Sequence, residues 1–515
     1  MRDRVLKTLI NDRIIFFLAL ITSIIAAYFS YTLNLMTAYN DATAHLNTAR
    51  RMIDSLTPGF VQIGSVWLPL LHLLELPFVA FDVLYFTGFA GAIVSGMSFV
   101  ISAVFLYKLI IQITKSRVGG LIGVLLFLSN ANLLYLQTTA MFEPLLMATV
   151  FGSVYYLSKW TQTQTVNHLV IAAFLTCLAT LTRYDGWAYF IASSIYVMFV
   201  SFIQKRKNKE GSIIIYILLA GFGIAIWLFY NHMIFNNALF FANSEYSAKA
   251  QQDILEERGA LPTKHDLPLS FITYSIAVII NLGALSTFGL VLGLIAFLIF
   301  QLRHPKTWGP LLLLIPYFFN IISLYLGQSV IWVPMLAPYF DTYFNARYGL
   351  LMLPAAAFFL GYFASKHKAF VVIALFLIIG QAYLFFNPKI IPIFGHQVGI
   401  ITLQDTVSSI NKQTMDTSNF IHTNYDDGLI LVSSASVDSL IFRSGLPLKK
   451  FITEGTGNYW TESLQDPTRH ARWVVFFRDR TDRVGRQQKN WKNFDKQYEL
   501  KYEDQTYLVY KKVSE

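Results

Sequence analysis

Runs of about 20 apolar residues recur along this chain, and they constrain its fold more than any other feature. A helix of that length crosses the hydrocarbon core of a bilayer, where every backbone N–H and C=O group needs an internal partner. We place the runs near residues 14–33, 88–110, 118–136, 141–159, 167–182, 184–204, 212–232, 269–301, 308–326, 346–365 and 369–387. The sequence therefore predicts a mainly α, polytopic helical membrane protein with about eleven transmembrane helices.

The positions of the basic residues predict how these helices are oriented. The formal net charge is +10 at pH 7, but Lys and Arg lie in short loops between apolar runs, as in cytoplasmic loops, so we expect no nucleic-acid partner. We expect a cytoplasmic N-terminus that begins with a retained signal anchor, in the cytoplasmic (plasma) membrane. The single cysteine, Cys177, excludes an internal disulfide. The basic loops are Lys108–Arg117, Lys205–Lys209, Arg303–Lys306 and Lys366–Lys368.

One further apolar segment, Val66–Val83, would reverse this topology if it crossed the membrane. It contains Pro69, His72, Glu75 and Pro77, and prolines and ionisable groups argue against a lipid-exposed span. We therefore expect a juxtamembrane or re-entrant helix on the outer face.

Composition divides the chain into two parts. Residues 1–390 form the predicted transmembrane domain, in which residues 34–87 are the first outer loop. Residues 391–515, called the tail below, are richer in polar residues. The segments GLILVSS, RWVVFF and TYLVYKK predict strands, and Gln404–Ile421 predicts a helix. We expect the tail to be a small extracytoplasmic α/β domain.

With this topology, the unusual charged residues collect on the outer side of the membrane. Charge is costly near a bilayer and marks a functional-site hypothesis. Aromatic residues make up 16% of the chain, and an interfacial belt accounts for many of them. Aromatic faces with carboxylates suit sugar rings, whereas the planar fork of Arg suits phosphate. The candidate residues are Asp41, His45, Arg50, Trp67, Glu143, Arg183, Asp185, Glu245, Lys249, Asp341, Tyr343 and Arg347.

The sequence motifs of several function classes are missing. The chain has no Walker loop, HExxH, CxxC or GxSxG motif, which excludes ATP-driven transport by this chain alone and the hydrolases recognisable by motif. The segment GFGIA at Gly221 lies inside an apolar run and favours helix packing over phosphate binding.

Several segments together resemble the GT-C glycosyltransferases of the protein O-mannosyltransferase and aminoarabinose–lipid A transferase type. YNDATAHLNTARRM resembles the start of their first outer loop, QIGSVWLPLLHLLELPF their second juxtamembrane segment, and LTRYDGW and YFNARYGLLMLP their later outer-face segments. The resemblance implies a polyprenyl-phosphate sugar donor, a protein, lipid or glycan acceptor, and a catalytic acidic residue early in that loop. Many relatives carry an acidic pair there, whereas Asn40-Asp41 offers one carboxylate. No cofactor is predicted, and a divalent metal has no clear ligand set.

Two residues carry the predicted chemistry, and each has a structural alternative. Asp41 is the predicted general base that deprotonates the acceptor hydroxyl. The alternative is that Asp41 only caps a helix over Ala42–Ser55. Arg347 is predicted to bind the donor phosphate at a helix start. The alternative is an anchor whose side chain snorkels to the membrane surface.

The remaining predicted binding residues also have structural alternatives. Arg183 could pair with Asp185, and Glu143 could favour its own helix start. Glu245 could form a surface pair with Lys249, in a loop that could also close over a cavity. His45, four residues after Asp41, could orient it, contact the acceptor, or form a structural hydrogen bond. For His72 and Glu75 we expect structural roles.

The sequence thus predicts an inverting glycosyltransferase with its site at the outer membrane face. The competing hypothesis is a lipid or sugar transporter or flippase, which should show repeated halves and broken helices at the bilayer midplane. A third hypothesis is a scaffold in which the tail does the work. A cavity lined by both Asp41 and Arg347 would favour the enzyme.

The topology can be tested by labelling cysteines in a Cys177→Ala background. We expect a membrane-impermeant maleimide to label Asn490→Cys, in the tail, on intact cells. Asn208→Cys, in the most basic loop, should react only after permeabilisation, because Lys and Arg excess marks the cytoplasmic side. The reverse pattern of labelling would contradict the topology and with it the outer location of the charged residues.

Overall fold

The structure, a computed structural model, describes residues 11–204, 208–245, 247–340, 342–393, 395–409 and 412–513. Most of it is a bundle of helices, as the apolar runs predict. The helices of the bundle and its loops are α1 (Asp12–Thr32), α2 (Asn40–Arg51), α3 (Leu70–Val79), α4 (Asp82–Thr87), α5 (Phe89–Thr114), α6 (Arg117–Ser129), α7 (Ala131–Leu136), α8 (Phe142–Thr163), α9 (Val166–Thr180), α10 (Asp185–Ile203), α11 (Lys209–Phe235), α12 (Phe240–Asn243), α13 (Ala248–Glu257), α14 (Leu267–Leu282), α15 (Ala284–Gln301), α16 (Ile315–Tyr325), α17 (Leu353–Ala364) and α18 (Lys368–Phe386).

Seven helical segments in the described ranges are long and apolar enough to cross a membrane. The segment Ala346–Ala364 joins a 3-10 helix to α17. In its most apolar 18-residue stretch 94% of the residues are buried, whereas the corresponding fraction is 22% in α1 and in α11. The first is therefore the centre of the bundle, and the other two lie at its lipid-facing surface. Shorter apolar helices accompany these seven, and the count of eleven crossings stays a prediction.

The predicted run 269–301 consists of two helices, because the chain breaks at Gly283 with φ of +81°. Both helices pack closely on the central segment. A Cβ atom at Gly349 would lie 2.1 Å from the Ala277 carbonyl oxygen, and one at Gly293 would lie 2.2 Å from that of Phe359. Small residues allow such backbone approach between membrane helices. Ala277 thus lies beside Gly349, and Gly293 beside Phe359, so α14 and α15 follow the central segment in the same direction along its length.

The first outer loop contains α2, α3 and α4 and lies against one end of the bundle. Helix α3 has ten residues, or ~15 Å at the helical rise, which is too short to span a bilayer. This agrees with a juxtamembrane or re-entrant segment. Arg50 holds the loop together: its guanidinium contacts Asp54 at 3.2 Å, the Val79 carbonyl at 2.5 Å and Asp82 at 2.6 Å.

The tail forms the predicted α/β unit. Its sheet has the order β2-β1-β3-β5-β4, in which β1, β2 and β3 are parallel and β4 and β5 are antiparallel to their neighbours. Separate apolar clusters cover the two faces of the sheet. The elements are α19 (Ile401–Ser409), α20 (Lys412–Asn424), β1 (Leu429–Leu431), α21 (Ser434–Arg443), β2 (Phe451–Ile452), α22 (Asn458–Gln465), β3 (Ala471–Phe477), α23 (Arg483–Gln488), α24 (Phe494–Gln497), β4 (Tyr498–Glu503) and β5 (Tyr507–Lys512).

The tail is docked on the first outer loop through buried polar contacts. Asp438 accepts a hydrogen bond from the Asn47 amide at 3.0 Å and pairs with Arg51 at 3.2 Å. The Gln62 amide donates to the Gly455 carbonyl at 2.8 Å. The tail and the first outer loop therefore lie on the same side of the bundle.

Candidate active site

Arg347 is the centre of a buried charged cluster at the end of the bundle that faces the tail. It lies at the start of the central segment and is only 6% exposed. Its guanidinium donates to Asp41 Oδ2 at 2.6 Å and to the Tyr39 hydroxyl at 2.6 Å. It also donates to Asn345 Oδ1 at 3.1 Å and to Glu143 Oε1 at 3.3 Å. The snorkelling alternative is therefore wrong, because every one of these contacts points into the protein.

Glu143 joins Arg347 to a second arginine. The Arg183 guanidinium donates to the same Glu143 Oε1 at 3.0 Å and to Asp185 Oδ2 at 2.9 Å. Asp185 in turn accepts from the Asn320 amide at 3.3 Å. The predicted Arg183–Asp185 pair is confirmed, but Arg183 also contacts Glu143, which joins this pair to Arg347 in one network. Residues Asp41, Glu143, Arg183, Asp185 and Arg347 are called the candidate site below.

The network explains how charged side chains of both signs are buried together beside the part-exposed Asp41. A buried charge is tolerated when opposite charges and hydrogen bonds replace its water. Here three carboxylates alternate with two guanidinium groups, and Glu143, with 0% side-chain exposure, lies between the two arginines. Its second oxygen, Oε2, is buried and has no hydrogen-bond partner among the described residues. Glu143 is thus a structural link rather than only a favourable charge at its helix start.

Asp41 is the member of the candidate site that opens toward solvent. Its side chain is 39% exposed, whereas that of Arg347 is 7% exposed. Helix α2 begins at Asn40, two residues before the predicted start, and its N-cap residue is Tyr39. The N-cap alternative for Asp41 is therefore wrong. Arg347 fixes Oδ2, and Oδ1 accepts no hydrogen bond from the residues that the structure describes.

Two tyrosines flank the guanidinium groups. Arg347 lies 5.0 Å from the ring centre of Tyr39 and 5.2 Å from that of Tyr348. Arg183 lies 4.6 Å from the ring centre of the same Tyr348. Such cation–π contacts hold the planar groups in place. In the sequence Tyr348 follows Arg347 and Tyr39 lies two residues before Asp41, whereas Asn320 gave no sequence signal at all.

His45 does not contact Asp41 by a hydrogen bond, although the two residues share a helix. Its Nδ1 lies 3.2 Å from Nε2 of His72. Its ring packs edge-on against Trp67 at 4.3 Å and against Phe142 at 4.5 Å. Burial lowers the pKa of His45 to about 3, so the ring is neutral. The structural hydrogen-bond alternative for His45 is confirmed, and Trp67 is part of the same packing.

Three other predicted binding residues lie outside this network. Arg50 braces the first outer loop, as described above. Glu245 pairs with Arg483 of the tail at 2.5 Å rather than with Lys249, so the predicted i,i+4 pair is wrong. Tyr343 is half-buried against the bundle, and burial raises the pKa of its hydroxyl.

Two of the charged segments singled out in the sequence lie wholly or partly outside the described residues. Asp341 and the Lys205–Lys207 part of the most basic loop lie outside the described residues. No group of three or more His, Cys, Asp or Glu side chains placed to hold a metal ion occurs in the part of the chain that the structure describes.

Solved structures with the same fold are found, although the sequences are only distantly similar. ArnT from Cupriavidus metallidurans, crystallised with undecaprenyl phosphate, is 10% identical with a TM-score of 0.59, over 96% of this chain and 98% of that one. The Archaeoglobus fulgidus oligosaccharyltransferase, crystallised with zinc and sulfate, is 12% identical with a TM-score of 0.50, over 90% of this chain and 68% of that one.

Both neighbours are GT-C enzymes, so the fold likeness predicted from the motifs is confirmed. The apolar helices and this fold make the chain an integral membrane protein. No protein-family model matches the chain, and no curated protein matches it either.

The role of Glu143 as a link can be tested against a second buried glutamate. We expect Glu143→Gln to lower the free energy of unfolding by roughly 3–5 kcal/mol, because it leaves two buried arginines short of a charged partner. Glu75 is equally buried at 0% exposure, but neither of its oxygens has a hydrogen-bond partner among the described residues. Burial raises its pKa well above the usual value, which favours the neutral acid, so Glu75→Gln should be nearly neutral. Thermal unfolding in detergent measures both, and equal losses would contradict the assignment.

Proposed function

We propose that this protein is a glycosyltransferase that moves a hexose or pentose from a polyprenyl-phosphate donor to an acceptor hydroxyl at the outer membrane face. One observation carries the proposal: a part-exposed carboxylate, Asp41, is fixed at 2.6 Å by the buried Arg347 within a GT-C fold. The N-terminus would be cytoplasmic, and the candidate site and tail extracytoplasmic. The acceptor is a protein, lipid or glycan.

In the proposed reaction, Asp41 acts as the general base. Its Oδ1 accepts the proton of the acceptor hydroxyl, while Arg347 holds Oδ2 so that the carboxylate keeps its direction. The acceptor oxygen forms a bond to the anomeric carbon from the face opposite the phosphate, and the bond from that carbon to the phosphate oxygen breaks. Polyprenyl phosphate leaves with the electron pair, so the sugar changes its anomeric configuration.

Negative charge develops on the leaving phosphate as the bond breaks, so a positively charged group beside it stabilises the transition state. A guanidinium has five N–H groups. Arg347 uses four of them on Asp41, Tyr39, Asn345 and Glu143, whereas Arg183 uses two, on Glu143 and Asp185. We therefore assign Arg183 as the main phosphate ligand and Arg347 as the residue that orients Asp41. The sequence instead predicted Arg347 as the main phosphate-binding residue.

The base can be tested by Asp41→Asn, which keeps the shape of the side chain but cannot take up a proton. Sugar transfer should fall by roughly 10²–10⁴-fold, the usual effect of losing a positioned general base. Asp82→Asn is the matched control. Asp82, like Asp41, is a carboxylate of the first outer loop that pairs with an arginine, but its partner is Arg50 and not Arg347. Transfer assays on purified protein, with donor binding measured in parallel, compare the two. An Asp41→Asn enzyme that retained most of its turnover would rule out this mechanism.

The phosphate ligand can be tested by Arg183→Lys, which keeps the positive charge but loses the planar fork. We expect donor affinity to fall roughly ten- to a hundredfold, since one hydrogen bond between charged groups is worth ~1.5–3 kcal/mol. Arg483→Lys is the control, because Arg483 pairs with Glu245 far from the candidate site. Binding of polyprenyl phosphate in detergent is the measurement. Equal donor affinity in wild type and Arg183→Lys would assign Arg183 to the structural network alone.

A further inference from the structure

A polar cavity lies at the opposite end of the bundle from the candidate site. It is an open pocket with a volume of about 340 Å³, lined by the start of α1, the end of α5, the start of α6 and the end of α8. Helix α8 carries Glu143 in its first turn and the cavity residue Lys159 in its last turns. Their separation of 16 positions in the sequence corresponds to ~24 Å along the helix. The cavity is therefore near the other surface of the membrane.

The cavity has an excess of positive charge. Among the described residues, Lys108, Arg117 and Lys159 line it together with one carboxylate, Asp12, which pairs with Lys108 at 3.3 Å. Arg117 is oriented by a hydrogen bond with the buried Tyr107. An anion that enters the cavity therefore meets three cations, of which one shares its charge with Asp12.

Gln112 supplies a second, independent observation at the same place. It lines the cavity, and both its amide nitrogen and its amide oxygen are buried with no hydrogen-bond partner among the described residues. Buried polar atoms without a partner are costly and unusual. A ligand that satisfies both atoms must accept a hydrogen bond from the nitrogen and donate one to the oxygen. A phosphate oxygen does the first, and a hydroxyl does the second.

Apolar surface beside the cavity suits an acyl chain. Phe17, Ile21 and Ile24 of α1 are each more than half exposed, and α1 starts at the cavity with Asp12. Basic pockets between membrane helices are known to bind anionic lipid head groups. A free phosphate would use the cations but would leave this apolar surface unused.

We propose that this cavity binds an anionic phospholipid, with its phosphodiester on Arg117 and Lys159 and a hydroxyl of its head group on the Gln112 amide oxygen. The acyl chains lie along α1. This site is separate from the candidate site, so the proposal does not depend on the proposed glycosyl transfer.

The test measures lipid binding by the full-length protein in detergent, by native mass spectrometry and by thermal unfolding with added lipid. The probes are phosphatidylglycerol, which has a phosphodiester and hydroxyls, zwitterionic phosphatidylcholine, and inorganic phosphate. We expect phosphatidylglycerol alone to stay bound and to raise the unfolding temperature. In Arg117→Gln/Lys159→Gln the affinity should fall at least roughly tenfold for each cation removed. Lys368→Gln, a cation at the start of α18 that does not line this cavity, is the matched control.

A second variant, Gln112→Leu, removes the amide but no charge. It should weaken phosphatidylglycerol binding while the protein stays monodisperse and folded, as judged by size exclusion and its unfolding transition without lipid. Equal protection by inorganic phosphate would overturn the lipid assignment in favour of a free anion. Unchanged phosphatidylglycerol binding in either variant, or an equal loss in Lys368→Gln, would overturn the site.

Discussion

The contacts of one guanidinium group, that of Arg347, connect the parts of this molecule that matter for function. They join the first outer loop, through Tyr39 and Asp41, to the bundle, through Glu143, while Arg347 itself starts the most deeply buried helical segment. Asp41 therefore has a fixed direction although it lies on a loop helix at the protein surface. Removing any charge from this network exposes the others to the full cost of burial without a partner.

The sequence predicted the location of the candidate site because charge is expensive in such surroundings. Asp41, Glu143, Arg183, Asp185 and Arg347 come from four distant segments, yet the topology placed all of them at one membrane face. The same reasoning also selected Arg50 and Glu245, which brace the first outer loop and its junction with the tail. Composition near a bilayer shows where charge is tolerated, but it does not distinguish a reacting group from one that holds two surfaces together.

The sequence did not predict which of several possible hydrogen-bond partners each side chain of the site contacts. Glu143 accepts from two arginines at once, and His45 turns to His72 rather than to its helical neighbour Asp41. Such choices depend on how helices that are far apart in sequence approach each other, and close glycine contacts such as Gly349 on Ala277 set that approach. The helices of the bundle and strands β1, β3 and β5 of the tail follow local periodicity and were predicted, whereas β2 and β4 were not. The break at Gly283 was not predicted, since both sides of it are equally apolar.

The docking of the tail on α2 has a consequence for the order in which the protein is made. Asn47, on the helix that carries Asp41, is bonded to Asp438, which is 391 residues later in the chain. At about 5–20 residues per second, ribosomes need about 20–80 s to cover that distance. During synthesis, α2 and the first outer loop enter the membrane region long before their partner exists. A chain terminated before the tail would carry every residue of the candidate site, including the Arg347–Asp41 pair, but it would lack the contacts of Asp438 with Asn47 and Arg51 that hold α2 in place.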